Sequence, residues 1–163
     1  MPEPIPKVGY GQLVGLLEIL DDLDGKADLA RIARDILLEL DDLLPAVEAG
    51  ELLGFLTVDS GDVSLTNEGK KFVHASIRRR KEIIRAALLN LDLFKRVVAF
   101  IEKTPERVVE RQALQNFLEQ ICVGLPPEAT LRWVIEWGRH GLILRYNSEQ
   151  ELVCLAAPRK SVV

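Results

Sequence analysis

Leucine, isoleucine and valine recur at three- and four-residue steps through most of this chain, and twice that rhythm gives way to a short extended segment closed by a polar turn. Leu13, Leu16, Leu17, Leu20 and Leu23 form one stripe, which predicts a helix over about Gly11 to Asp22. Asp24-Gly25-Lys26 breaks it, and Asp28 is placed to cap a short second helix burying Leu29, Ile32, Ala33 and Ile36. A third helix is expected to begin near Asp41-Asp42, either of which can cap it, with Pro45 tolerated in its first turn and Leu43, Leu44, Val47, Leu52 and Leu53 facing inward. Gly54 lets the chain leave that helix. Phe55 to Val58 and Val63 to Leu65, joined by Asp59-Ser60-Gly61-Asp62, then read as a β-hairpin. Thr66 caps a further helix expected to run through Phe72, Val73 and Ile77.

The pattern then repeats. A connecting helix spans roughly Arg78 to Leu89, and Asp92 can cap a helix burying Phe94, Val97, Val98 and Ile101. Another carries Leu114, Phe117, Leu118 and Ile121, and Pro127 starts one that buries Leu131, Val134 and Ile135. A second hairpin follows from Leu142 to Tyr146 and from Glu151 to Leu155, and Leu53-Gly54-Phe55-Leu56 matches His140-Gly141-Leu142-Ile143 as the entry to each hairpin. Three helices followed by a hairpin is the order of a winged helix-turn-helix unit. The expected fold is therefore mainly α with two short β-hairpins, built as tandem winged-helix units. They lie at 9–77 and 92–156, joined by a connecting helix at 78–91, with flexible ends at 1–8 and 157–163. One such unit with a helical extension and a terminal hairpin is the alternative.

Apolar residues make up 48% of the 163 residues, enough for a real core. No apolar run reaches the roughly 18 to 20 residues of a membrane helix, and the start, with Pro2, Pro4 and Pro6, lacks the pattern of a secretory signal and predicts a frayed lead-in. These features point to the cytoplasm. Cys122 and Cys154, each flanked by apolar residues, read as reduced buried thiols. The net charge of −4 hides an asymmetry: residues 1–65 hold 4 Lys/Arg against 14 Asp/Glu, and residues 66–163 hold 17 against 11. Such a division attracts a charged partner, nucleic acid or a second copy.

Catalytic chemistry finds no foothold. Gly9-Tyr10-Gly11 is not followed by the Lys-Ser/Thr of a phosphate loop and has no strand before it. Asp21-Asp22 and Asp41-Asp42 fall at helix ends rather than in an apolar pocket that would shift a pKa. His74 and His140 are the only histidines, lack a nucleophile partner and do not pair with the cysteines at zinc spacing. No enzyme activity, cofactor or metal is expected.

DNA binding depends on cations that neutralise phosphates. Asp35 through Gly69, which contains the first unit's third helix and wing, has nine acids and no Lys, Arg or His, so the usual docking mode is excluded for that unit. The surfaces expected to meet a partner are the acidic third helix, with Asp41, Asp42, Glu48 and Glu51, and the basic linker, with Arg78, Arg79, Arg80, Lys81 and Arg85. Trp133 and Trp137, four apart on one helix face, predict a helix buried on two sides, the second side meeting either the other unit or a partner.

Gly15 to Leu20, Asp41-Asp42-Leu43-Leu44-Pro45-Ala46-Val47-Glu48-Ala49, Glu51 to Phe55, Leu65-Thr66-Asn67-Glu68-Gly69, Arg80 to Ile83 and Trp137-Gly138-Arg139 together resemble the AAA-associated C-terminal domain family over about residues 9–156. In that family the domain follows the ATP-binding subunit of nitrate/sulfonate/taurine-type ABC transporters, and some members are free-standing. The resemblance implies a non-catalytic accessory or regulatory module, docked at the cytoplasmic face of a transporter on its ATPase or permease subunits; the opposite charges of the two halves also suit a homodimer. The rival expectation is a transcription regulator that binds DNA through the second unit and the basic linker. A third is a small-ligand sensor with a pocket between the units, lined by Trp133 or Trp137.

Overall fold

A computed structural model describes residues 5–156, which form eight α-helices and two three-stranded antiparallel sheets. In the first half, α1 (Tyr10–Asp22) buries Leu13, Leu16, Leu17 and Leu20 and is followed by β1 (Lys26–Asp28), α2 (Leu29–Asp35), α3 (Leu40–Leu52), β2 (Leu56–Asp59), β3 (Asp62–Leu65) and α4 (Asn67–His74). Then α5 (Ile77–Leu89) leads into the second half: α6 (Asp92–Glu102), β4 (Val108–Glu110), α7 (Arg111–Ile121), α8 (Pro127–His140), β5 (Leu144–Asn147) and β6 (Leu152–Leu155). The sheets have the same order, β1-β3-β2 and β4-β6-β5, with Ala27 opposite Val63 in one and Val109 opposite Val153 in the other.

The hairpins fall where the alternation placed them, and each gains a third, three-residue strand too short to carry a period-two signal of its own. Asp28 caps α2 as expected, its carboxylate accepting from the amides of Ala30 and Arg31 at 2.7 and 3.1 Å. Several expected boundaries move. Helix α3 begins at Leu40 behind Glu39, so Asp41 and Asp42 lie in its first turn rather than at its cap; their charge favours the dipole there without a side-chain hydrogen bond. Pro45 consequently sits inside the helix. Asp92 likewise is the first residue of α6, with Leu91 at the cap position. The helix begun by Thr66 stops at His74; Ser76 caps a new one, its hydroxyl accepting from the Arg79 amide at 3.1 Å, and Ile77 is left 79% exposed at the start of α5.

The repeat is in register at the level of backbone. Gly50 on α3 lies against Leu56, and Gly138 on α8 lies against Leu144, with a Cβ added at either meeting the leucine at 2.6 Å. The left-handed residue that ends each of these helices is Gly54 (φ 81°) in the first half and Leu142 (φ 57°) in the second. The match of Gly54 to Gly141 expected from sequence is therefore off by one, because Leu142, not a glycine, takes the strained turn. Asp24 (φ 61°) and Gly25 (φ 86°) before β1 correspond to Glu106 (φ 60°) and Arg107 (φ 59°) before β4.

The chain start is packed, not frayed, from residue 5 onward. Ile5 and Val8 belong to the core, and the indole of Trp137 donates to the Val8 carbonyl at 3.0 Å. The expected loose segments at 1–4 and 157–163 lie outside the described residues. Cys122 is buried and Cys154 half-buried, and neither forms a disulfide.

Candidate functional site

Two surfaces of opposite charge stand out. The first is the corner where α2 meets α3. Asp41, Asp42, Glu48 and Glu51 all face solvent on α3, and none forms an ion pair among the described residues. Beside them the chain turns through Leu37, held at φ 57°, and leaves Leu37, Leu38 and Leu40 exposed at 90%, 46% and 43%. These exposed leucines, with exposed Glu39, Asp41 and Asp42 beside them in the chain, make an apolar knob with an acidic rim. Sequence reasoning singled out Asp41 and Asp42 and passed over Leu37 and Leu38, which follow directly on the apolar stripe of α2.

The second surface is a groove of about 650 Å³ where α5, α7, α8 and β5 converge. Arg132, Glu136 and Arg139 come from one face of α8, at steps of four and three residues. Lys81 is supplied by α5, Arg111 by the first residue of α7 and Tyr146 by β5, while Ile135 and His140 complete the wall. Four permanent cations thus face one carboxylate, and among the described residues none of Lys81, Arg111, Arg132 or Arg139 is in an ion pair. Burial holds the His140 imidazole below its ordinary pKa of 6.5, aided by Lys81 and Arg139 and opposed by Glu136. Its ring stacks on Tyr10 at 4.5 Å.

The structure separates the residues of the basic linker. Arg78 is exposed and Lys81 opens into the groove. Arg79 is engaged with Glu82 at 2.8 Å on the helix surface. Arg80 is turned inward: its side chain is only 17% exposed, donates to the carbonyls of Phe72 and Val73 at 3.1 and 2.6 Å, pairs with Glu18 at 3.2 Å and lies over the Phe72 ring. Arg85 is likewise turned inward, donating to the Leu142 carbonyl at 2.9 Å and fastening α5 to the second hairpin. Trp137 is wholly buried against the chain start and Tyr10, so its second side is met within the molecule. Trp133 is half-buried with the Arg132 guanidinium 5.8 Å from its ring centre, and neither tryptophan lines the groove.

No helix among the described residues is long and apolar enough to cross a membrane, and no cluster of metal-ligating side chains occurs among them. Compared with known families, residues 30–147 match the model of the C-terminal AAA-associated domain, a span that runs from α2 to β5 and leaves out α1, β1 and β6. Neither the curated proteins nor the solved structures contain a match to the chain.

Proposed function

The chain belongs to the C-terminal AAA-associated domain family, and from that membership we propose that it is a non-catalytic module that docks on an ATPase of the AAA or ABC kind and regulates it. The fuller form of the reading is a partner in a nitrate/sulfonate/taurine-type ABC transporter, at the cytoplasmic face of the membrane. Each half is taken to be a winged-helix unit, a reading supported by the shared element order and the shared strand order with the third strand in the middle of each sheet. The observation that carries the proposal is the α2–α3 corner. An apolar knob of this exposure is costly to leave in water, and its acidic rim selects a basic surface while repelling nucleic acid.

The rival reading, a DNA-binding regulator using the second unit, draws on the cations of α8. Against it, α5 packs alongside α8, and Arg80 and Arg85 are committed within the fold. A helix flanked in this way is poorly placed to enter a major groove, which must admit a whole helix about 12 Å across.

The test is a binding titration with an ATP-binding subunit encoded beside this chain or in frame with it. The chain is expected to bind, and Asp41→Lys/Asp42→Lys is expected to weaken association at least about tenfold, the loss shrinking as salt is raised. Unchanged affinity of the double variant at low salt would rule out this corner as the contact.

A further inference from the structure

We infer that the groove between α5, α7 and α8 is a binding site for a small ligand carrying a chain of phosphates, of the size of a nucleoside polyphosphate or of inorganic tripolyphosphate. The inference does not depend on an ATPase partner and goes beyond the docking reading.

Three observations carry it. The first is charge: Lys81, Arg111, Arg132 and Arg139 open into one concavity with Glu136 as the single carboxylate, and none of the four is in an ion pair among the described residues. Arg79 and Arg80, close by on α5, are by contrast paired with Glu82 and Glu18. Like charges brought together from three helices repel, and that repulsion is relieved when an anion enters. The second is stereochemistry. Three of the four are arginines, whose planar forks hold two phosphate oxygens at once, and Arg132 and Arg139 project from the same face of α8 about two helical turns apart. That spacing matches several linked phosphates better than a single small anion such as nitrate. The third is shape. A volume of about 650 Å³ is that of a small-molecule site, and the ring of Tyr146 on its wall offers an aromatic surface to a base. α5 flanks α8 and bounds the site on one side.

The ligand would join α5, which connects the two halves, to the second half through Lys81 on one side and Arg132 and Arg139 on the other. Its binding therefore stiffens the junction between them.

The experiment is calorimetric titration of the full chain at low ionic strength without magnesium, using three probes: tripolyphosphate, ATP and a short DNA duplex of unrelated sequence. Tripolyphosphate and ATP are expected to bind. Arg132→Gln/Arg139→Gln and, separately, Lys81→Gln on a different helix are expected to weaken both at least about tenfold. Arg78→Gln, which removes an exposed cation outside the groove, is expected to bind as the parent chain does. Far-UV circular dichroism and the melting temperature check that each variant is folded. The proposal is overturned if neither phosphate compound binds. It is equally overturned if Arg78→Gln weakens binding as much as the groove variants, since the attraction is then diffuse, or if the duplex binds more tightly than tripolyphosphate and the groove variants lose the duplex instead.

Discussion

His140 illustrates how one side chain acquires its behaviour from neighbours distant in sequence. It ends α8, where a cation suits the helix dipole, yet burial favours the neutral ring, which stacks on Tyr10. Glu136 pulls the other way, and Lys81 and Arg139 add to the depression. The unfolded chain binds a proton at the ordinary histidine value while the folded chain resists it, so the unfolded state holds more protons at low pH. Stability is thus fully present above about pH 6.5 and is lost as pH falls through the lower folded value. Urea midpoints measured between pH 7.5 and pH 5 should show this decline, and the decline should be shallower in His140→Gln. Equal slopes in the two proteins would show that other groups carry the whole effect.

Among the elements, the two αβ junctions, α1 to β1 and α6 to β4, use the same backbone with different residues. Before β1 the left-handed pair is Asp24-Gly25; before β4 it is Glu106-Arg107. A left-handed residue other than glycine carries a steric cost of about 1–2 kcal/mol, part of which glycine returns as extra freedom in the unfolded chain. Arg107 is exposed and in no ion pair among the described residues. Arg107→Gly, which copies Gly25 into the second half, is therefore expected to stabilise the protein by about 0.5–1 kcal/mol, read as a rise in urea midpoint with an unchanged slope. A fall would mean that the two junctions are not equivalent. The close contacts of Gly50 with Leu56 and Gly138 with Leu144 belong to the same repeat, since in each half the helix must approach the first hairpin strand closely enough for its leucine to fill the space above a glycine.

For the molecule as a whole, the two halves are stitched together by contacts that cross the chain. Tyr10 packs edge-on to both Phe72 and Trp137 and stacks on His140. Val8 accepts the Trp137 indole proton, and Arg85 ties α5 to Leu142. Ile5 and Val8 lie in the core at 6% and 5% exposure. The chain start is thus part of the seam, and a single cooperative melting transition is expected. Ile5→Ser/Val8→Ser should lower the unfolding free energy by about 2–4 kcal/mol and shift tryptophan emission to the red as Trp137 meets water. Unaltered stability and emission would show that the segment contributes nothing to the seam.

What the sequence determined by itself was local. Apolar spacing set the existence and type of the principal helices and hairpins, Asp28 and Thr66 could act as caps through their own neighbours, and the run from Asp35 to Gly69 was acidic wherever it folded. The acidic face was legible for that reason: formal charge is a property of composition, and α3 does leave Asp41, Asp42, Glu48 and Glu51 in water. Tertiary structure decided the rest. The strands β1 and β4 exist because β3 and β6 offer them hydrogen bonds from more than thirty residues away. Arg80 and Arg85 look like free charge in a basic run until packing turns them onto Phe72, Val73, Glu18 and Leu142. Leu37 and Leu38 follow directly on the apolar stripe of α2, and the left-handed turn at Leu37 leaves them in water. The cationic groove draws on Lys81, Arg111, Arg132 and Arg139, four residues spread over 59 positions and three helices. Charges so far apart along the chain do not add until folding brings them within a Debye length of one another, and that proximity is not encoded in any local pattern.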